Sequence, residues 1–214
     1  MIYLAADPHA DPLFPPLLDY VERAKDDDLL IILGDVGLYF EDTEQNRRFN
    51  DFFLSIKKNV AFIDGNHENF SYFKTLPAVK WQGAEAFELT PYIHLMKRGC
   101  IYDIEGKSFF TFGGCKSSDK WKDLGLWYEE ENPTEEQLKL AYRSLAARNH
   151  RVDYVLTHKY ERQDRGVYSP ELFELHRFID CNVSFEKWYT GHGHREFVYD
   201  EKHIMIYERL TSIT

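Results

Sequence analysis

Five short segments of the 214-residue chain carry acidic, amide and imidazole side chains at spacings that could assemble a catalytic site. Side chains of these types bind divalent metal ions and move protons. In chain order the segments are Asp7-Pro8-His9, Gly34-Asp35, Gly65-Asn66-His67-Glu68, the single residue His158, and Gly191-His192-Gly193-His194.

Two of these segments place a pair of polar side chains two residues apart. Residues i and i+2 of an extended chain point to the same side, and Pro8 favours extended geometry at the residue before it. We therefore expect Asp7 and His9 to converge on one metal ion. We expect His192 and His194 to form a second such pair, with the adjacent glycines allowing a tight turn.

The donor types indicate a site for two metal ions. Oxygen and nitrogen donors suit Mn, Fe, Zn, Co or Ni, and none of the five segments contains a cysteine. The segments offer seven candidate ligands, too many for one catalytic metal ion with an open position but suitable for two.

The elements that must position these side chains are short buried strands. Apolar runs bounded by turn residues are typical of such strands. The predicted strands are 2–6, 29–33, 60–63, 109–112, 152–156, 187–190, 197–199 and 204–207. Ligands of α/β sheets bind beyond the carboxyl ends of the strands, so we expect the five segments to meet at one edge.

Helical patterns alternate with these strands and predict an α/β fold with much parallel sheet. The predicted helices start at Pro15, cover 45–58, follow a capping box of Thr134 with Gln137, and start at Pro170 after Ser169. We expect residues 1–214 to form a single domain.

One long irregular segment, residues 113–133, is typical of a lid or binding loop. We expect Trp121, Trp127 and Tyr128 either to line a substrate cleft or to pack beneath this loop. The acidic run 129–131 is expected to be solvated. Candidates for contact with phosphate are Lys116, Arg162 and Arg165, with surface roles as the alternative.

In their types and order, the five segments resemble the motifs of the calcineurin-like metallophosphoesterases. The shared pattern is D-x-H, G-D, G-N-H-E, a lone His and G-H-x-H, and it extends from residue 7 to residue 194. The chain also resembles, more loosely, the small bacterial or phage-type members of this family. The family resemblance implies a four-layer αββα sandwich. In that fold two mixed β-sheets are flanked by helices, with a two-metal site at the strand ends.

The resemblance also implies a role for each candidate residue. One metal ion would be held by Asp7, His9 and His194, and the other by Asn66, His158 and His192. Asp35 would bridge the two ions, and His67 would be a catalytic histidine rather than a ligand. Leu38 departs from the family pattern by replacing a frequent second aspartate, and Thr157 departs by replacing a frequent glycine.

This arrangement implies hydrolysis of a phosphoester. Two divalent ions about 3.5–4 Å apart would hold a bound water as hydroxide for in-line attack on phosphorus. The ions would also neutralise charge on the phosphoryl oxygens. His67 would stabilise the transition state or protonate the leaving oxygen.

Composition narrows the classes of partner. A formal net charge of −10 disfavours duplex nucleic acid and anionic lipid, because the mean field of the chain repels both. The chain has no apolar run near ~20 residues, no basic leader and only three well-separated cysteines, so we expect a cytoplasmic protein without membrane association. A small phosphorylated substrate fits these limits best.

Three alternatives stay open at this level. The same fold could serve as a non-catalytic scaffold for protein assembly, although the presence of His67 favours an enzyme. The same chemistry could act in a nuclease or a phosphoprotein phosphatase. The substrate, the native metals and the oligomeric state are also open.

Overall fold

A computed structural model describes residues 1–161 and 169–213, with the side chain of Asp119 left aside. Its strands are β1 (Ile2–Ala5), β2 (Leu29–Leu33), β3 (Asn59–Ile63), β4 (Ala78–Trp81), β5 (Ala84–Thr90), β6 (Ile93–Met96), β7 (Cys100–Ile104), β8 (Lys107–Phe112), β9 (Tyr154–Thr157), β10 (Lys187–Thr190), β11 (Phe197–Val198), β12 (His203–Met205) and β13 (Thr211–Ile213). Its helices are α1 (Pro15–Arg23), α2 (Glu44–Ser55), α3 (Phe70–Phe73), α4 (Asp119–Asp123), α5 (Glu135–Ala147) and α6 (Pro170–Asn182), with a 3₁₀ turn at Glu129–Glu131.

The strands form two mixed sheets. The first has the order β13-β1-β2-β3-β6-β5-β4, with parallel pairing from β1 through β2 and β3 to β6. The second has the order β11-β12-β10-β9-β8-β7, with parallel pairing from β12 through β10 and β9 to β8. In each sheet antiparallel strands flank the parallel centre.

Alternation of side chains along the central strands separates three apolar layers. Between the sheets, Leu4 and Ile31 of the first share a cluster with Leu156 of the second. On the outer face of the first sheet, Ile32 packs in a cluster that includes Phe49 of α2. A third cluster on the outer face of the second sheet involves α5 and α6. The molecule is thus a helix-sheet-sheet-helix sandwich, which confirms the predicted fold class.

The helix starts follow the predicted capping chemistry. The Thr134 hydroxyl accepts a hydrogen bond from the Gln137 amide at 3.3 Å, and the Gln137 side chain accepts one from the Thr134 amide at 2.9 Å. These reciprocal bonds satisfy two amides that α5 cannot pair internally. Ser169 is the N-cap of α6, has an extended backbone and directly precedes Pro170.

Residues 113–133 are less irregular than predicted. They contain α4 and the 3₁₀ turn, and Glu131 in that turn is completely buried rather than solvated. Strands β4 to β7 and β13 were also not predicted. Several residues of β4 and β5 are polar and half-buried or exposed, and that mixture weakens the apolar signal of a strand.

No helix in the described ranges is both long enough and apolar enough to cross a lipid bilayer.

Candidate metal centre

The five polar segments meet at one edge of the sandwich. They follow β1, β2 and β3 of the first sheet and β9 and β10 of the second. Ligand atoms of Asp7, His9 and His194 lie within 4.8 Å of one another, as do those of Asp35, His158 and His192. A third set, His9, Asp35 and His67, overlaps both.

Asp35 lies between the two main sets, and its two oxygens have different surroundings. Oδ1 accepts hydrogen bonds from the backbone amides of Asn66 and His67, each at 2.7 Å. Oδ2 lies 3.5 Å from Nε2 of His9 and 3.4 Å from Nε2 of His158. One oxygen therefore fixes the carboxylate, while the other faces ligand atoms of both sets.

Several hydrogen-bond acceptors converge around His158. Nδ1 of its completely buried ring lies 2.8 Å from the Leu33 carbonyl oxygen, so Nδ1 carries a proton. Its Nε2 lies 3.2 Å from Oδ1 of Asn66 and 3.2 Å from Nδ1 of His192. One proton on Nε2 cannot hydrogen-bond to both of these acceptors and to the Asp35 carboxylate, whereas a single metal cation can contact all of them.

The pKa shifts of the candidate residues also favour bound cations. Burial lowers the pKa of His9 to about 4 and the pKa of His192 to about 3, so both rings are neutral near pH 7. Burial raises the pKa of Asp7 to about 8, with the Asp35 carboxylate adding to the effect. Burial opposes protonation of His158, but the Asp35 carboxylate raises its pKa to about 9.

These shifts mean that the residues alone would hold extra protons to balance their buried carboxylates. Neutral imidazoles and carboxylates are the donor forms that divalent transition metals require. The donor set therefore fits divalent transition-metal ions.

Five of the candidate residues have a left-handed backbone. The φ angles are 59° at Asp7, 45° at His9, 51° at Asp35, 66° at His192 and 47° at His194. Such angles are uncommon outside glycine and concentrate at functional sites. Asp7 and His9 do lie together, but the predicted extended geometry at Asp7 is wrong, because β1 has already ended at Ala5.

The glycines of the last segment act through their lack of a side chain rather than through positive φ. A methyl group at Gly191 would lie 2.7 Å from Cβ of Ala6 and 2.9 Å from Oδ2 of Asp7. At Gly193 it would lie 2.2 Å from the sulfur of Met205. The close approach places the His192 amide on the Asp7 carboxylate, at 2.9 Å from Oδ2.

Glu68 has a structural role that its place in the motif did not reveal. Its buried carboxylate accepts hydrogen bonds from the amides of Val36 at 2.9 Å, Gly37 at 3.2 Å and Gly65 at 3.3 Å. It thereby joins the segment after β2 to the segment after β3, the two segments that present Asp35 and Asn66.

A cavity of about 420 Å³ opens beside these residues. It is lined by Asp35, Asn66, His67, Lys116, Ser117, Ser118, Trp121, Lys159, Tyr160, His192, His194, Arg195, Tyr199 and Met205. The sequence singled out Lys116 but missed Lys159 and Arg195, which directly follow the candidate ligands His158 and His194 in the chain. This position in the chain is the sequence signal that could have identified both residues.

The residues of the long loop divide between the two predicted roles. Trp121 lines the cavity, and its ring centroid lies 4.5 Å from that of His67, with the rings perpendicular. Tyr128 packs edge-on against Phe70 instead. The other predicted phosphate contacts, Arg162 and Arg165, lie outside the described residues.

Both residues that depart from the family pattern pack away from the candidate ligands. Leu38 is completely buried in the apolar cluster beneath the helices of the first sheet. Thr157 accepts a hydrogen bond from the Trp188 indole at 2.8 Å. Cys115, a buried free thiol, lies nearer the site, with its sulfur 3.7 Å from Nε2 of His192.

Comparison with known families agrees with this geometry. A sequence model described as calcineurin-like phosphoesterase matches residues 1–196, so the chain belongs to that family. The family as a class consists of phosphoester hydrolases. No curated protein matches the chain.

Gly65→Ala should disrupt metal binding. The added methyl group would lie 2.1 Å from Oδ1 of Asp35, so this carboxylate must move. We expect the affinity for Mn²⁺ to fall at least about 10-fold, as when outer partners of ligands are lost. Isothermal titration calorimetry measures it.

Gly106→Ala is the control for this variant. No atom lies within 4 Å of a methyl group there, although φ is +78°. It should lower stability through backbone strain and leave Mn²⁺ affinity unchanged. Wild-type affinity in Gly65→Ala would contradict the role given to Asp35.

Proposed function

We propose that the protein is a metal-dependent phosphoester hydrolase with a dinuclear centre. The observation that carries this proposal is the position of Oδ2 of Asp35, which faces ligand atoms of two separate donor sets. Membership of a phosphoesterase family and the adjacent cavity support it.

The ligands proposed are the members of the two sets together with Asn66, whose Oδ1 lies 3.2 Å from Nε2 of His158. Asp7, His9 and His194 would hold one divalent ion, and Asn66, His158 and His192 would hold the other. Asp35 would bridge them. Nitrogen and oxygen donors of this kind are compatible with Mn, Fe, Zn, Ni or Co. When bound, such ions acidify water and neutralise charge on phosphoryl oxygens.

His67 is proposed as the catalytic histidine. Its ring is wedged between His9, Phe40 and Trp121, with centroid distances of 4.9, 5.0 and 4.5 Å, and it lines the cavity. Burial lowers its pKa, which favours a neutral imidazole near pH 7. A neutral ring carries one N–H, which can donate a hydrogen bond to the leaving oxygen of a bound phosphoester.

The substrate proposed is a small phosphorylated molecule, either a diester or a monoester. Lys116, Lys159 and Arg195 line the cavity and supply positive charge next to the site. The cavity volume of about 420 Å³ suits a small ligand. The net charge of −10 disfavours a duplex nuclease.

The direct test is hydrolysis of bis-nitrophenyl phosphate by protein stripped of metal and reloaded with Mn²⁺, Ni²⁺, Co²⁺, Zn²⁺ or Fe²⁺. We expect turnover with at least one metal and loss of turnover with chelator. Asp35→Asn should weaken binding of both ions and abolish turnover, because it removes the shared charge. Tight metal binding without hydrolysis of this diester, or of a matching panel of monoesters, would favour the scaffold alternative.

His67→Ala separates a catalytic role from a ligand role. If His67 donates to the leaving oxygen, the variant should retain two metal ions and lose about 10²–10³-fold in kcat, the usual cost of removing one hydrogen-bond donor directed at developing charge. Metal content by elemental analysis and kcat on the same sample decide this. Loss of one ion would make His67 a ligand, and full activity with both ions retained would remove it from the mechanism.

A further inference from the structure

Asn66 differs from the other candidate ligands because its side chain has two chemically opposite ends. The amide oxygen can bind a cation, whereas the amide NH₂ group can only donate hydrogen bonds. The two orientations have nearly the same shape, so packing alone does not select between them. Oδ1 faces His158, with 3.2 Å between it and Nε2. Nδ2 faces away and donates to Oγ of Ser117 at 3.1 Å.

Ser117 is buried, and Glu131 is a second partner that holds its backbone. The Ser117 amide donates to Oε2 of Glu131 at 2.9 Å, which holds the Ser117 backbone in place beside Asn66. A hydroxyl has one proton and two lone pairs. The hydroxyl oxygen therefore has a lone pair for the hydrogen bond that Nδ2 of Asn66 donates.

Glu131 and the 3₁₀ turn that carries it are held by neighbouring residues of the site. It is completely buried, and its Oε1 accepts a hydrogen bond from the Tyr128 amide at 3.3 Å. The Arg98 guanidinium pairs with Asp64 and donates to the Glu130 carbonyl at 2.9 Å. Asp64 lies two residues before Asn66, so the 3₁₀ turn that carries Glu131 is tied to the segment that carries Asn66.

We propose that Ser117, oriented by Glu131, is a positioning residue that keeps the Asn66 amide oxygen directed at the metal ion held with His158 and His192. The inference deepens the proposed function and rests on it. Without the hydroxyl, the amide loses the acceptor of its NH₂ group and gains freedom to rotate. The oxygen would then be presented to the ion for only part of the time.

The test is Mn²⁺ binding to full-length Ser117→Ala, measured by isothermal titration calorimetry alongside wild type. We expect one of the two sites to weaken by about 10–100-fold, the range found when an outer partner of a ligand is removed. The other site, with Asp7, His9 and His194, should stay within about twofold. Cobalt-loaded protein should show a matching change in its visible absorption, which a loss of general stability would not produce.

Three further variants complete the experiment. Ser117→Thr keeps the hydroxyl and should restore binding. Ser55→Ala removes a hydroxyl that donates to the Phe52 carbonyl at 2.7 Å, and this variant should bind as wild type. Glu131→Gln should weaken the same site as Ser117→Ala, and it decides the matter if Ser117→Ala does not fold.

Wild-type affinity at both sites in Ser117→Ala, or in folded Glu131→Gln, would overturn the role of Ser117 and leave the proposed function standing. A wild-type protein that binds fewer than two ions would instead overturn the dinuclear centre, and the positioning role with it.

Discussion

The burial of two carboxylates among neutral imidazoles is the constraint on which the site depends. Asp7 and Asp35 are almost inaccessible to water, and the nearby rings of His9 and His192 resist protonation. Buried charge of one sign is costly unless it is balanced. Divalent cations can provide this balance while engaging neutral nitrogen donors. The same requirement explains why the candidate ligands come from both sheets, since no single segment supplies enough donors.

Bringing these side chains together strains the backbone, and the surrounding structure must stabilise the strained conformation. Left-handed angles at non-glycine residues cost of order 1–3 kcal/mol each. The segments after β1 and β2 support each other through hydrogen bonds from the Asp7 amide to the Gly34 carbonyl at 3.2 Å and from the His9 amide to the Asp35 carbonyl at 2.9 Å. Glu68 adds a clamp between the segments after β2 and β3. Together with the sandwich beneath them, these hydrogen bonds stabilise the strained backbone of the candidate ligands.

The sequence predicted the central parallel strands except β6, four of the helices and the meeting of the polar segments, because buried strands, caps and turns leave strong local signals. It could not predict the left-handed angles of Asp7 and His192, which follow from packing between distant segments. The role of Glu131 was missed for the same reason. A run of three glutamates is typical of a solvated turn, and only the fold brings Ser117 and Arg98 to it. The flanking strands β4 and β5 lack the apolar pattern that identified the others.

The central claim is that Asp35 joins two metal ions with one carboxylate. Anomalous diffraction from crystals soaked in Mn²⁺, with data collected on both sides of the manganese absorption edge, tests it most directly. The account predicts two anomalous peaks about 3.5–4 Å apart, both in contact with Oδ2 of Asp35, one beside His9 and the other beside His158. A single peak, or two peaks of which only one contacts Asp35, would contradict it.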